Sequence, residues 1–247
     1  MNDMNNFNKS KMHYYIKGLQ EPPKYIYSKE EANQLENFVK NKFGEYTSVY
    51  HELYSPDIHL DILVVPPTNK DNYYKLITKG MGAYQMNVPN DLKDYAIDRA
   101  ELVVYLPHDW DFKQKDNGWI ISLLKVIART PIFENGWVGY GQTFSQNVEG
   151  TIPYSTNTKF SNAILFDSND YLDNKDELYI STKGRINFFQ VVPIYREEMI
   201  FAKLYGAENL AKILIKESEQ PIVDNFRKNY CKDEISRLLE DEMEMER

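Results

Sequence analysis

The stretch His51-Glu52-Leu53-Tyr54-Ser55-Pro56-Asp57-Ile58-His59-Leu60-Asp61-Ile62-Leu63-Val64-Val65-Pro66-Pro67 decides how the chain is read. Successive side chains of an extended chain alternate between faces, so Asp57, His59 and Asp61 fall on one side and Ile58, Leu60 and Ile62 on the other. The β-prone run 58–65 ends abruptly at Pro66-Pro67, and 46–53 is β-prone as well. The two runs predict adjacent strands of one sheet.

Outward from this centre, Tyr73–Thr78, Glu101–Leu106, Asn162–Phe166 and Ile186–Val192 supply further strand candidates. Helical patterns lie between them. Ser28 can cap a helix with Glu31 as its reciprocal partner three positions on, after which Ala32, Leu35, Phe38, Val39 and Phe43 share one face before Gly44. Trp119–Ala128 is apolar almost all round, as a helix buried against a sheet should be, and Pro131 is expected to stop it. From Tyr195 onward the pattern is helical, with breaks expected near Gly206 and Pro221 and a charged, solvated helix over Asp233–Arg247. The chain therefore reads as mixed α and β. Its first two dozen residues, ending in Glu21-Pro22-Pro23, read as a polar leader.

Composition narrows the function classes. At 42% hydrophobic and 14% aromatic residues the chain is rich enough to build a core. A net charge of −8 disfavours nonspecific nucleic-acid binding and makes a basic protein the easier partner. Cys231 is the sole cysteine, which rules out an intramolecular disulfide and a structural site of several cysteines, and fits a reducing compartment. The Asn-rich start lacks the basic and apolar segments of a secretory signal, and no run approaches the roughly 18–20 apolar residues that span a bilayer. A cytoplasmic protein without membrane contact is expected.

The cluster best suited to chemistry is His51 with Asp57, His59 and Asp61, because imidazole and carboxylate together can bind a divalent cation or exchange protons. Carboxylates beside a histidine more often satisfy one another and nearby backbone donors, and the spacing lacks the helical histidine pair of zinc hydrolases. Gly80-Met81-Gly82 and Gly139-Tyr140-Gly141 are turns that could let a ligand approach the backbone, though neither carries a phosphate-loop pattern. No serine sits in a nucleophile elbow and Cys231 lies in a charged helical region. No catalytic residue, metal ligand or cofactor is assigned. The three tryptophans and many tyrosines can serve a recognition surface or, more simply, the core.

Taken together, the opening stretch and Asn72-Tyr73-Tyr74-Lys75-Leu76-Ile77-Thr78-Lys79-Gly80-Met81-Gly82 resemble the suppressor-of-fused family. The resemblance continues through Met86-Asn87-Val88-Pro89, Arg99-Ala100-Glu101-Leu102, Leu106-Pro107, Asp109-Trp110, Leu124–Arg129, Gly139–Thr143 and Pro193–Met199, covering about residues 25 to 205 in order. It implies an α/β domain around a mixed β-sheet packed by helices, with additional C-terminal helices. The implied organisation is a leader over 1–24, the domain over 25–205 and a helical extension over 206–247. It also implies protein binding, since animal members restrain a zinc-finger transcription factor of Hedgehog signalling. Those carry a second, C-terminal domain, whereas the compact form here resembles bacterial members, some of which are similar to immunity proteins.

The leading expectation is a non-catalytic binding module, an immunity protein or antitoxin that blocks a toxin, for which acidity would favour capture of a basic domain. Its binding surface is expected at Asp57, His59 and Asp61, with Gly80, Met81, Gly82, Tyr84, Gly139, Tyr140 and Gly141 close by. The rivals are a metal-dependent enzyme using His51, Asp57, His59 and Asp61, and a structural or assembly protein whose motifs only maintain the fold. The acidic C-terminal helix is a further candidate for docking.

Overall fold

The computed structural model describes residues 23–52, 55, 57–168, 177–217 and 222–245. Most of the leader expected over 1–24, the break expected at Pro221 and the last two residues lie outside them.

Among the described residues eight strands form the sheet: β1 (Ser48–Tyr50), β2 (Asp61–Val65), β3 (Tyr73–Lys79), β4 (Ala100–Pro107), β5 (Thr143–Ser145), β6 (Asn162–Asp167), β7 (Leu178–Ile180) and β8 (Gly184–Ile194). Their order is β1-β2-β3-β4-β8-β6-β5, with β7 paired to β8. β1 and β2 are adjacent, as expected; they pair antiparallel, as does every other pair except β4 with β8. Those two run parallel, Ala100 opposite Asn187 and Val103 opposite Gln190. The sheet is therefore mixed. β5 and β7, three residues each, are additions to the sequence-based expectation.

Among the described residues five α-helices cover the sheet: α1 (Lys29–Lys42), α2 (Trp119–Phe133), α3 (Arg196–Tyr205), α4 (Ala207–Glu217) and α5 (Lys232–Met245). Strand alternation sends Ile62 and Val64 of β2 toward α2 and Leu63 and Val65 toward α1, so all four are buried. α2 packs Ile120, Leu124 and Ile127 on the first face. On the second, α1 covers the β2–β4 half with Leu35, Val39 and Phe43, while α3–α5 cover Ile164, Phe166, Val192 and Ile194 of β6 and β8.

α1 starts where the sequence places it: Glu31 N–H donates to Ser28 Oγ at 3.2 Å and Ser28 N–H to Glu31 Oε2 at 2.8 Å. Such a cap contributes about 1 kcal/mol, whereas each fully buried Leu, Val or Phe contributes about 1.5–3. Packing on the sheet, more than the cap, holds the helix.

Two expectations are corrected. Pro131 does not stop α2, which runs on to Phe133 with Pro131 buried in its last turn. A proline there forfeits a single helical N–H, and the real stop is a left-handed Asn135 at φ 47° followed by Gly136 N–H donating to Pro131 O at 3.0 Å. Nor is the last helix solvated all round: Ile235 of α5 is fully buried and Leu238 half-buried beside Phe201 and Leu210. The charged residues of its first turn, Asp233 and Glu234, stay exposed. Among the described residues no helix is long and apolar enough to cross a membrane.

Candidate functional site

The alternation before β2 places His59 and Asp61 on the α1 side of the sheet and buries Ile58, Leu60 and Ile62 on the α2 side. Asp61 is nearly buried and sits at the centre of a polar patch. Its Oδ1 lies 3.1 Å from His51 Nδ1 and 3.5 Å from His59 Nε2, and its Oδ2 lies 3.3 Å from Lys79 Nζ. Lys79 also reaches Glu36 of α1 at 2.9 Å, and Tyr46 Oη donates to the same carboxylate at 2.8 Å. Burial alone would raise Glu36, yet the Lys79 ammonium and the Tyr46 hydroxyl hold it below the usual carboxylate range. Tyr46 is in turn pushed up to about 12 by burial and by Glu36. Lys79 is raised: burial lowers it, and the two carboxylates outweigh that.

Asp57 does not join this patch. Its carboxylate faces α2, where Arg129 Nε donates to both oxygens at 3.1 and 3.2 Å. Arg129 Nη2 also donates to Glu52 at 2.5 Å, and Lys125 lies 3.6 Å from Glu52. Of the four residues considered for metal binding, His51, His59 and Asp61 meet, Asp57 is committed to a guanidinium, and an ammonium occupies the far side of Asp61. Among the described residues no three His, Cys, Asp or Glu side chains are arranged to hold a metal ion.

The Gly80-Met81-Gly82 turn lies directly against His59. Gly80 adopts φ +136°, and a Cβ there would stand 1.9 Å from the His59 carbonyl oxygen. The turn wraps a carboxylate: Gly80 N–H and Gly82 N–H donate to Glu101 Oε1 at 2.9 and 3.0 Å. Tyr27 Oη donates to the same oxygen at 2.9 Å and Thr78 Oγ1 to Oε2 at 2.6 Å. Burial raises Glu101 above the ordinary carboxylate range, and these donors offset only part of the effect. Met81 is buried, while Tyr84 is half-buried with its ring edge-on to Tyr25 at 4.9 Å. The backbone donors that could have met an external anion are therefore already used by the chain's own glutamate.

The second turn stands elsewhere. Gly141 N–H donates to Leu165 O of β6 at 2.7 Å, Gly139 N–H to Gln142 Oε1 at 2.8 Å, and exposed Tyr140 packs its ring 5.9 Å from that of Phe166. β6 is four strand spacings from β2, about 19 Å across the sheet. The structure thus brings His59, Asp61 and Gly80–Gly82 together and leaves Gly139–Gly141 on the far half, where they lead the chain into β5.

Three charged groups that organise the molecule were not among the candidates. Glu101 is detectable in sequence as a lone acid in the otherwise apolar β4, Ala100–Pro107. Arg129 stands at the end of an apolar helix. Glu198 is fully buried and receives Arg227 Nη1 at 2.5 Å and Nη2 at 2.6 Å, a pairing between α3 and the segment before α5 that no local pattern announces.

Residues 56–228, more than half the chain, match the family described as Suppressor of fused protein. The chain belongs to this family. Among curated proteins it is 28% identical over 211 residues to an uncharacterized protein of Ureaplasma parvum serovar 3, covering 84% of this chain and 99% of that one. A suppressor of fused homolog from Neisseria gonorrhoeae superposes with a TM-score of 0.58 at 13% identity, over 82% of this chain and 98% of the other. A chain of the Sufu–Fu complex gives 0.57 at 13% identity, over 84% and 93%. Drosophila Suppressor of Fused gives 0.51 at 13% identity; 87% of this chain is covered but only 54% of that one, so the present chain spans about half its length. At these identities the solved structures establish a shared suppressor-of-fused fold.

Proposed function

We propose that this suppressor-of-fused protein is a non-catalytic binding module that neutralises a partner protein, acting as an immunity protein or antitoxin against a toxin domain. The observation that carries the binding reading is the fold shared with 93% of a chain found in the Sufu–Fu protein complex. The chemistry of the described charged residues agrees with it, since Glu101, Glu198, Asp57 and Asp61 all spend their oxygens on donors within the chain. The contact face we favour is the His51–His59 patch with the adjoining outer edge of β1, whose strand pairs on one side only and carries exposed Tyr50. A chain of net charge −8 is steered toward a basic target.

Affinity capture of the tagged full chain from its native cells, at low and moderate salt, tests the proposal. One stoichiometric protein whose toxic activity falls on adding this chain, and whose retention falls in Tyr50→Ala and His51→Ala, supports it. A captured partner that is not inhibited keeps the binding module and removes the toxin. A second reading has one observation in its favour, the meeting of His51 and His59 on Asp61. Metal analysis of the purified protein decides it: a bound transition metal released by His59→Ala, in the absence of any captured partner, would replace the binding reading by an enzyme.

A further inference from the structure

Asparagine precedes glycine twice in the sequence, each time with a tryptophan next: Asn117-Gly118-Trp119 and Asn135-Gly136-Trp137. The two pairs lie at opposite ends of α2. Asparagine is chemically labile in this setting, because the following main-chain nitrogen can attack its side-chain amide and glycine has no Cβ to obstruct the approach. The sequence makes the two sites equivalent, and their surroundings make them different. Asn117 is buried, with Nδ2 donating to Asp111 O at 3.0 Å and Oδ1 accepting from Asn157 Nδ2 at 2.6 Å. Trp119 is anchored in the core directly after Gly118. Turning the Asn117 amide toward Gly118 N therefore breaks two interior hydrogen bonds. Asn135 is exposed in the left-handed conformation, φ 47°, and its side-chain amide makes no hydrogen bond with the described residues. Only main-chain groups are tied down there. Gly136 N–H donates to Pro131 O at 3.0 Å, while Asn87 donates its N–H to Gly136 O at 2.9 Å and its Nδ2 to Asn135 O at 3.1 Å. The Gly136 N–H bond closes the end of α2, and helix ends open readily. Asn87 holds the Asn135–Gly136 backbone through both carbonyls.

We infer that Asn135 is a site of spontaneous deamidation, that Asn117 is protected from the same reaction, and that Asn87 restrains its rate. When the Gly136 N–H bond opens, that nitrogen gives its proton to hydroxide and bonds to Asn135 Cγ. The Cγ–Nδ2 bond breaks, and ammonia leaves with a proton taken from water. Water then opens the cyclic imide. Cleavage of the N–Cγ bond leaves aspartate, and cleavage of the bond to the main-chain carbonyl leaves isoaspartate, whose backbone runs through Cβ and Cγ. Both products place a charge beside Glu134 at the negative end of the α2 dipole. Isoaspartate also lengthens the chain between the stop of α2 and Gly136, so Gly136 cannot keep its bonds to both Pro131 and Asn87. The reaction needs no partner, and it goes beyond the function proposed above.

Ageing the full chain in heavy-oxygen water at mildly alkaline pH tests the inference, because each opened imide takes up labelled oxygen. Digestion in ordinary water and peptide mapping by mass spectrometry then locate the label. It is expected at Asn135, largely as isoaspartate, and at least about tenfold faster than at Asn117. Asn87→Ala should quicken the reaction at Asn135 several-fold and leave Asn117 unchanged. Gly136→Ala, whose new methyl meets nothing closer than 3.8 Å, should slow it at Asn135 by a similar factor or more. The melting temperature of each variant is checked alongside. Equal rates at the two asparagines, faster loss at Asn117, an Asn135 rate indifferent to either substitution, or an Asn135 still unlabelled once the urea-unfolded chain has reacted would each overturn the inference.

Discussion

Glu101 Oε1 accepts the backbone N–H of Gly80 at 2.9 Å, so a charged residue inside β4 fixes the turn that leaves β3. The turn and the acid are one unit: without the carboxylate, two backbone N–H groups and two hydroxyls lose their acceptor in the core. Glu101→Ala should therefore cost about 3–5 kcal/mol, while Glu101→Gln, which keeps an acceptor for the turn, should cost about 1 or less. Urea denaturation of both variants measures the difference.

The same residue gives stability a pH dependence of known sign. Because burial raises its pKa, the folded chain holds a proton that the unfolded chain has released, from the ordinary carboxylate range up to the raised value. This contribution to stability falls as pH rises through that interval and is constant above it. Subtracting the Glu101→Gln profile from the wild type should leave this fall; a difference that rises with pH would contradict it.

Gly80→Ala should be the most damaging glycine substitution, because its Cβ would meet the His59 carbonyl at 1.9 Å in a backbone already at φ +136°. A loss of about 3 kcal/mol or more is expected. Gly118→Ala, with nothing within 4 Å of the new methyl, should stay within about 0.5 kcal/mol. Denaturation midpoints compare the two.

Arg227→Met leaves the buried Glu198 carboxylate without its cation, a change worth about 3–5 kcal/mol. Adding Glu198→Gln should restore a sizeable part of that loss, as coupled partners do. Hydrogen exchange at Tyr230 and Cys231, whose segment the pair pins to α3, should accelerate in the single variant.

Burial pushes the Cys231 thiol up to about 12, with nearby Glu198 and Glu234 adding to the effect. A disulfide reagent at mildly alkaline pH should leave the folded chain unlabelled and modify it as soon as α5 detaches in denaturant. Rapid labelling of the native protein would contradict the packing of Cys231 against Ile235 and Phe201.

Much of the fold is legible where neighbours in sequence are neighbours in space. Ser28 and Glu31 announce α1, and the alternation around Leu60 shows that Ile58, Leu60 and Ile62 share one buried face. β5 and β7 are too short for any period to emerge, and β8 binds three other strands, so their places depend on partners far along the chain. At the site, alternation reveals His59 beside Asp61 but not that Asp57 turns away, because Arg129 lies on a helix 72 positions later. The glycine pair Gly80 and Gly82 is conspicuous in sequence, yet the reason for it, Glu101, becomes visible only when β3 and β4 are laid together.

The parallel seam between β4 and β8 also sets an order of assembly. β1, β2 and β3 each pair with the next strand in sequence, so the β1–β4 half can close as soon as residue 107 has been made. The outer edge of β4 must then wait for Asn187–Gln190, and a waiting edge is open to strands of other chains. Refolding experiments should find Ile77→Val in β3 slowing folding and Val191→Ala in β8 chiefly speeding unfolding. A cell making this protein would meet its aggregation hazard during synthesis, in the interval between the two strands.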